Sequence, residues 1–136
     1  VPTSRHGYEY MRELHGSPHQ RKMIAEINEP FKPALIVLDG IDVFVDGGPM
    51  TGKLAKGELF LASTDRVAID AVGVAILKFL GSNESIMKPK IFEQEQIARA
   101  VELGLGASSP SEIDVIPADE KSKGYRDQVL EILKKG

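Results

Sequence analysis

The sequence predicts a single-domain α/β sandwich, with a mostly parallel sheet flanked by helices, on the strength of three observations. Apolar runs of strand length alternate with helical segments along the chain. The run at residues 34–38, Ala-Leu-Ile-Val-Leu, has no polar alternation, as in a strand covered on both faces. The 136 residues are 42% apolar and 27% charged, which suits one core, since a domain of this length buries about two-thirds of its unfolded surface.

The elements follow in order. Residues 1–16 read as an irregular lead-in, with His6 in a stretch that no periodicity orders. The absence of an initial methionine and of an opening strand makes the chain read as a fragment of a longer protein; a sheet edge left bare would then need covering, and a homodimer is one remedy. Ser17-Pro18-His19-Gln20 reads as a helix start, with serine as N-cap, proline in the first turn and glutamine completing a capping box. That helix runs to about Asn28 with Met23, Ile24 and Ile27 on one stripe, and Pro30 and Pro33 end it. Residues 34–38 form a strand, residues 41–45 extend it or make a short second one, and residues 58–62 make another. Ser63-Thr64-Asp65 offers N-caps to a helix over 66–80, apolar nearly all round and therefore buried, with Gly81 as its stop. An amphipathic helix over 92–103 closes at Gly104, and residues 113–116 form a short strand. A terminal helix over 125–135 carries Val129, Leu130 and Leu133 on one face.

Charge and composition remove several function classes. A net charge of −3 with scattered lysines and arginines leaves no basic stripe for nucleic acid. With no cysteine, the chain makes no disulfide, no thiolate nucleophile and no ligand for an iron–sulfur cluster. No stretch approaches the roughly 20 apolar residues that span a bilayer, and the first ten residues lack the apolar centre of a signal peptide, so a cytoplasmic protein is expected.

The chemistry-bearing residues gather around Gly47-Gly48-Pro49-Met50-Thr51-Gly52-Lys53-Leu54. This run matches the phosphate-binding pattern G-x-x-x-x-G-K-[ST] until Leu54, where the magnesium-binding hydroxyl is missing, and a strand follows where a helix should. Nucleoside triphosphate hydrolysis is therefore not expected. Two readings of the loop stand: Gly47 and Gly48 present backbone N–H groups to an anion with Lys53 as its counter-charge, or the glycines merely turn the chain and Lys53 is solvated. Asp39, Asp46, Asp65 and Asp70 bracket the loop. In an open parallel sheet Asp39 and Asp65 both fall at the carboxyl ends of strands, where ligands collect, so a cation or a proton transfer is conceivable there. Asp65 is equally an N-cap, worth about 1 kcal/mol without any ligand. Asp70 interrupts an apolar helix and needs a partner, which Arg66 four residues earlier can supply. His15 and His19 have the spacing of two metal ligands on one helix face, although Gly16 and Pro18 interrupt that helix; a divalent metal there, or capping and solvent roles for both, are the alternatives. Neither G-x-S-x-G nor H-E-x-x-H occurs.

Over residues 11–116 the chain resembles the domain of unknown function 362 family. The resemblance rests on Ile24-Ala25-Glu26-Ile27-Asn28, the strand ending Asp39-Gly40, the Gly47-Gly48-Pro49 loop and the phrase Thr64-Asp65-Arg66-Val67-Ala68-Ile69-Asp70. It implies shared positions at His15, Asp39, Gly40, Gly47, Gly48, Pro49, Asp65 and Asp70. It also implies a redox or cofactor-handling setting, because such proteins are often joined to ferredoxin-like iron–sulfur modules; any cluster must then be ligated outside this chain. Two functions of different class follow. In one, a small anionic ligand, with or without a divalent metal, is held by Asp39, Gly47, Gly48, Lys53, Asp65 and Asp70. In the other, a non-catalytic accessory module docks an iron–sulfur electron-transfer partner. Whether the chain is an enzyme, and which residues would be catalytic, stays open at this level.

Overall fold

The structure, a computed structural model, describes residues 10–136. His6 and the first part of the expected lead-in lie outside the described residues. The rest of that lead-in is helical: α1, Tyr10–Gly16, buries Leu14 and leads through a turn into α2, Gln20–Glu26. Ser17 does not cap α2. Its hydroxyl accepts from the His19 N–H at 3.1 Å inside the turn, and His19 takes the N-cap position without a side-chain cap bond.

The expected parallel sheet is replaced by a long antiparallel hairpin. β1, Ile36–Gly47, and β2, Gly52–Ser63, form a two-stranded sheet in which Ile36 faces Ser63 and Gly47 faces Gly52. The reason is the connection. Only Gly48-Pro49-Met50-Thr51 joins the strands, whereas a parallel pair needs a crossover of a dozen or more residues. The supposed long loop is mostly strand, because Gly52 to Gly57 already pair with β1 or lie at its bulge.

Two irregularities bend the hairpin. Between the Gly40–Leu59 and Asp42–Lys56 pairs β2 carries the extra residue, with Glu58 at φ 55°; between Phe44–Leu54 and Asp46–Lys53 the extra residue is Val45 on β1. Such bulges re-aim side chains and increase twist. Here the second one anchors the ribbon. Val45 is 2% exposed, and its carbonyl accepts from Ser82 Oγ at 2.7 Å and from the Asn83 N–H at 3.1 Å, just after α3.

α3, Arg66–Phe79, is the axis of the molecule and begins and ends as its sequence predicts, with Asp65 as N-cap and Gly81 at φ 77° beyond its C-terminus. It buries Val67, Ile69, Ala71, Val72, Ala75 and Ile76 and packs on the inner face of the hairpin, on α5 and on α6. A short α4, Glu84–Met87, follows. The helix expected over 92–103 is broken: a 3₁₀ turn, Ile91–Glu93, precedes α5, Glu95–Glu102. Gln94 between them has a non-helical ψ of 127° and turns inward, where Nε2 donates to the Ile86 carbonyl at 3.1 Å. No strand forms over 113–116. Ile113 and Val115 pack against the core there without ladder partners, after a 3₁₀ turn at Pro110–Glu112. α6, Glu120–Lys135, starts earlier than expected, because Asp119 accepts from the Ser122 N–H at 2.8 Å as its cap. Val129 and Leu133 of α6 close the core with Ile91 and Ile97 against α3. Among the described residues no helix is long and apolar enough to cross a membrane.

Candidate functional site

The hairpin separates residues that a parallel sheet would have gathered. Gly47, Gly48 and Lys53 sit at its tip, while Asp65 follows the far end of β2, so roughly 35 Å of strand lies between them. Asp39 stands near the open end of β1, roughly 25 Å along the ribbon from Gly47. The six expected ligand residues therefore do not share one site.

Each has a local account. At the tip, Gly47 and Gly48 adopt φ values of 71° and 94°, and the Gly48 N–H donates to the Thr51 carbonyl at 2.7 Å. The first of the two Gly N–H groups, that of Gly47, is bonded to Asp46 Oδ1 at 3.1 Å, and the same oxygen accepts from Asn83 Nδ2 at 3.1 Å. The geometry is that of a chain reversal with its donors satisfied internally, and Lys53 faces Asp46 across the ladder. Asp65 is engaged entirely by backbone. Oδ1 accepts from the N–H groups of Val67 and Ala68 at 2.8 and 2.9 Å, and Oδ2 accepts from Ala107 at 2.8 Å. The cap thus ties α3 to the segment after α5, and Gly106 is small because a Cβ there would meet the Asp65 carboxylate.

The expected Arg66–Asp70 pair is not made. Arg66 instead donates to the carbonyls of Asn28 and Phe31, pinning the turn after α2. Asp70 takes Gln96 of α5, whose Nε2 donates to Oδ2 at 3.1 Å, and burial pushes the Asp70 carboxyl above its ordinary value while that hydrogen bond pulls it back.

Asp70 and Gln96 stand where two cavities meet. One, of about 290 Å³, lies between α2, α5 and the start of α3 and includes Ile24, Ile36 and Leu105 in its wall. The other, of about 380 Å³, lies between α3, α5 and the inner side of the hairpin, with Leu38, Val43, Leu59 and Leu77 in its wall. Asp39 borders the second cavity, but its side chain shares the outer face of the hairpin with its ladder partner Phe60, so Asp70 alone of the expected ligand residues offers its carboxylate to that hollow, together with Arg21, Gln94 and Gln96. Sequence reading missed the last three. Nothing in the sequence links a glutamine to a carboxylate 26 positions earlier; only the packing of α5 on α3 does.

The two histidines are placed without a metal geometry. His15 Nδ1 lies 3.2 Å from Gln20 Nε2, and among the described residues no three His, Cys, Asp or Glu side chains gather as metal ligands would.

No curated protein and no solved structure matches the chain. The family described as Domain of unknown function (DUF362) matches residues 4–75, which run through α1, α2, the hairpin and the first part of α3, and take in Asp39, Asp65 and Asp70 but neither Gln94 nor Gln96. That match covers more than half of the sequence, and the chain belongs to the domain of unknown function 362 family.

Proposed function

We propose that this domain is a non-catalytic module that docks an iron–sulfur electron-transfer protein through the outer face of its hairpin. The observation that carries this reading is the bare apolar surface there. Val37 and Phe60 are 62% and 63% exposed, and Leu35 and Ile41 are exposed beside them. Val37 pairs with Ala62 and Asp39 with Phe60, so Val37 and Phe60 are diagonal neighbours on one face. Exposed apolar side chains gathered in this way around one charge, Asp39, mark interaction sites in folded proteins. Both long edges of the hairpin also lack a third strand among the described residues, which leaves main-chain groups to bond with a partner. Electron-transfer encounters use small interfaces, below about 1,200 Å² in total, so a patch built on four side chains is of suitable scale. The partner class comes from the redox setting that the family resemblance implies and from a chain with no cysteine of its own.

The test is a titration of the isotope-labelled domain with a [4Fe–4S] ferredoxin followed by amide NMR. Shifts are expected at Val37, Ile41, Phe60 and Ala62, and a Val37→Lys, Phe60→Lys double variant should lose them while keeping its fold. Absence of shifts at millimolar partner, or shifts confined to α6, would overturn the reading. So would sedimentation showing that the domain alone is a dimer through this face.

A further inference from the structure

The two cavities and the carboxylate between them have no part in hairpin docking, and they carry a separate conclusion. Their walls are mostly aliphatic, as in pockets that take small molecules, with a few polar groups to fix orientation. Asp70, Gln96 and Ile97 line both, so the Asp70–Gln96 hydrogen bond is the boundary the two hollows share. The carboxylate there has one oxygen bonded and one open to the hollow. Oδ2 has a single neutral donor, and Oδ1 takes no hydrogen bond from the described residues. The nearest cation in sequence, Arg66, is committed to the Asn28 and Phe31 carbonyls, and Arg21 lines the second cavity without an ion pair to Asp70. Asp39 borders that cavity only from the strand, since its side chain lies on the outer face beside Phe60 and accepts from the Ile41 N–H at 2.9 Å. A partly buried carboxylate with no opposing charge is costly to the fold. A cation placed on it relieves that cost, and an apolar tail attached to the cation fills the hollow beside it.

We propose that the paired cavities form a binding site for a small amphipathic cation, a primary aliphatic amine whose ammonium group lies on Asp70 and Gln96 and whose hydrocarbon chain occupies the larger cavity under the hairpin. Negative charge on Asp70 selects the amine over a fatty acid of equal length. Gly73, on the α3 turn after Asp70, keeps that cavity open: a Cβ there would already stand 3.3 Å from Leu38 Cδ1.

The probe is n-octylamine below its micelle-forming concentration at pH 7, with octanoate and octan-1-ol as controls, read by amide NMR titration and thermal shift on the whole chain. Octylamine is expected to move the amides around Asp70 and Gln96 and to bind at least tenfold tighter than either control. Asp70→Asn should erase that preference, leaving amine and alcohol equal, with the melting temperature at or above that of the parent. Gly73→Leu, which fills the cavity without touching the carboxylate, should weaken octylamine at least tenfold. Equal binding of all three probes to the parent, unchanged octylamine affinity in Asp70→Asn, or no binding at millimolar probe would each overturn the assignment. None of these outcomes depends on whether the hairpin docks a ferredoxin.

Discussion

Both carboxylate oxygens of Asp65 are occupied by backbone N–H groups, and Asp70 has one neutral partner; the contrast sets how the two residues respond to substitution. Asp65→Ala removes the cap of α3 and strands the N–H of Ala107, which is buried, so it should destabilise the fold by at least about 2 kcal/mol in urea denaturation. Asp65→Asn keeps an acceptor for the cap but turns an amide donor toward either Ala107 or the helix start, so its loss should be intermediate. Near-zero loss in Asp65→Ala would remove the capping account. Asp70 behaves in the opposite sense. Burial raises its carboxyl pKa in the folded state, with the Gln96 bond a smaller opposing influence. The stability tied to this group is therefore complete below the ordinary carboxylate pKa and is lost as pH rises through the raised folded value. Asp70→Asn, which is neutral at every pH, should melt higher than the parent at pH 7, and the difference should shrink to nothing below about pH 4. Melting curves of both proteins across that range check the sign: a parent more stable than Asp70→Asn at neutral pH contradicts it.

At the scale of elements, α3 is legible in the sequence because its signals are local. Asp65, the apolar surround of α3 and Gly81 each act within a few residues, and the structure keeps all three. The strand pairing is not legible in the same way, because each strand's partner is not local. Residues 34–38 have no polar alternation, which suggests two covered faces, yet Val37 is exposed and only the neighbours that face α3 pack. Nothing in the run says that one face is left bare. The glycine run resembles a ligand-holding end of a sheet in sequence, but strands of equal length joined by a short Gly-Pro connection are a hairpin pattern, and the tip geometry follows from it. Gly48 is held at φ 94°, and a Cβ there would stand 3.2 Å from the Phe44 ring. Gly48→Ala should therefore lower stability by about 1 to 3 kcal/mol in the absence of any ligand. Chemical denaturation reads this directly, and an unchanged midpoint would return the glycine to a ligand role. The break at Gln94 was equally hidden, since an inward glutamine that bonds the Ile86 carbonyl leaves the amphipathic pattern of 92–103 intact in sequence.

Over the whole molecule, stability is concentrated away from the surface proposed to dock. The core cluster runs from α3 to α5 and α6, with Ala71, Ala75 and Leu133 at 0% exposure, and the hairpin contributes Val45 at its bulge and a partly buried inner face. Lys78 fastens the C-terminal side of this core. Its ammonium donates to the carbonyls of Met87, Pro89 and Gly136 at 3.2, 2.7 and 3.0 Å, and joins α3, the α4 turn and the end of α6. A molecule built this way should open unevenly, because segments with few buried apolar contacts exchange through small local fluctuations while the core waits for global unfolding. Amide hydrogen exchange should find the slowest protons in α3 and α6 and faster ones toward Gly47 and Gly52. Substitutions should divide along the same line. Leu133→Ala leaves a cavity against α3 and should cost about 2 to 5 kcal/mol. Phe60→Lys removes no core contact and should fall within about 0.5 kcal/mol of the parent, while it abolishes ferredoxin-induced shifts on the outer face. If Phe60→Lys instead unfolds the domain to the extent that Leu133→Ala does, the outer face is part of the core, and a surface free to receive a partner does not exist.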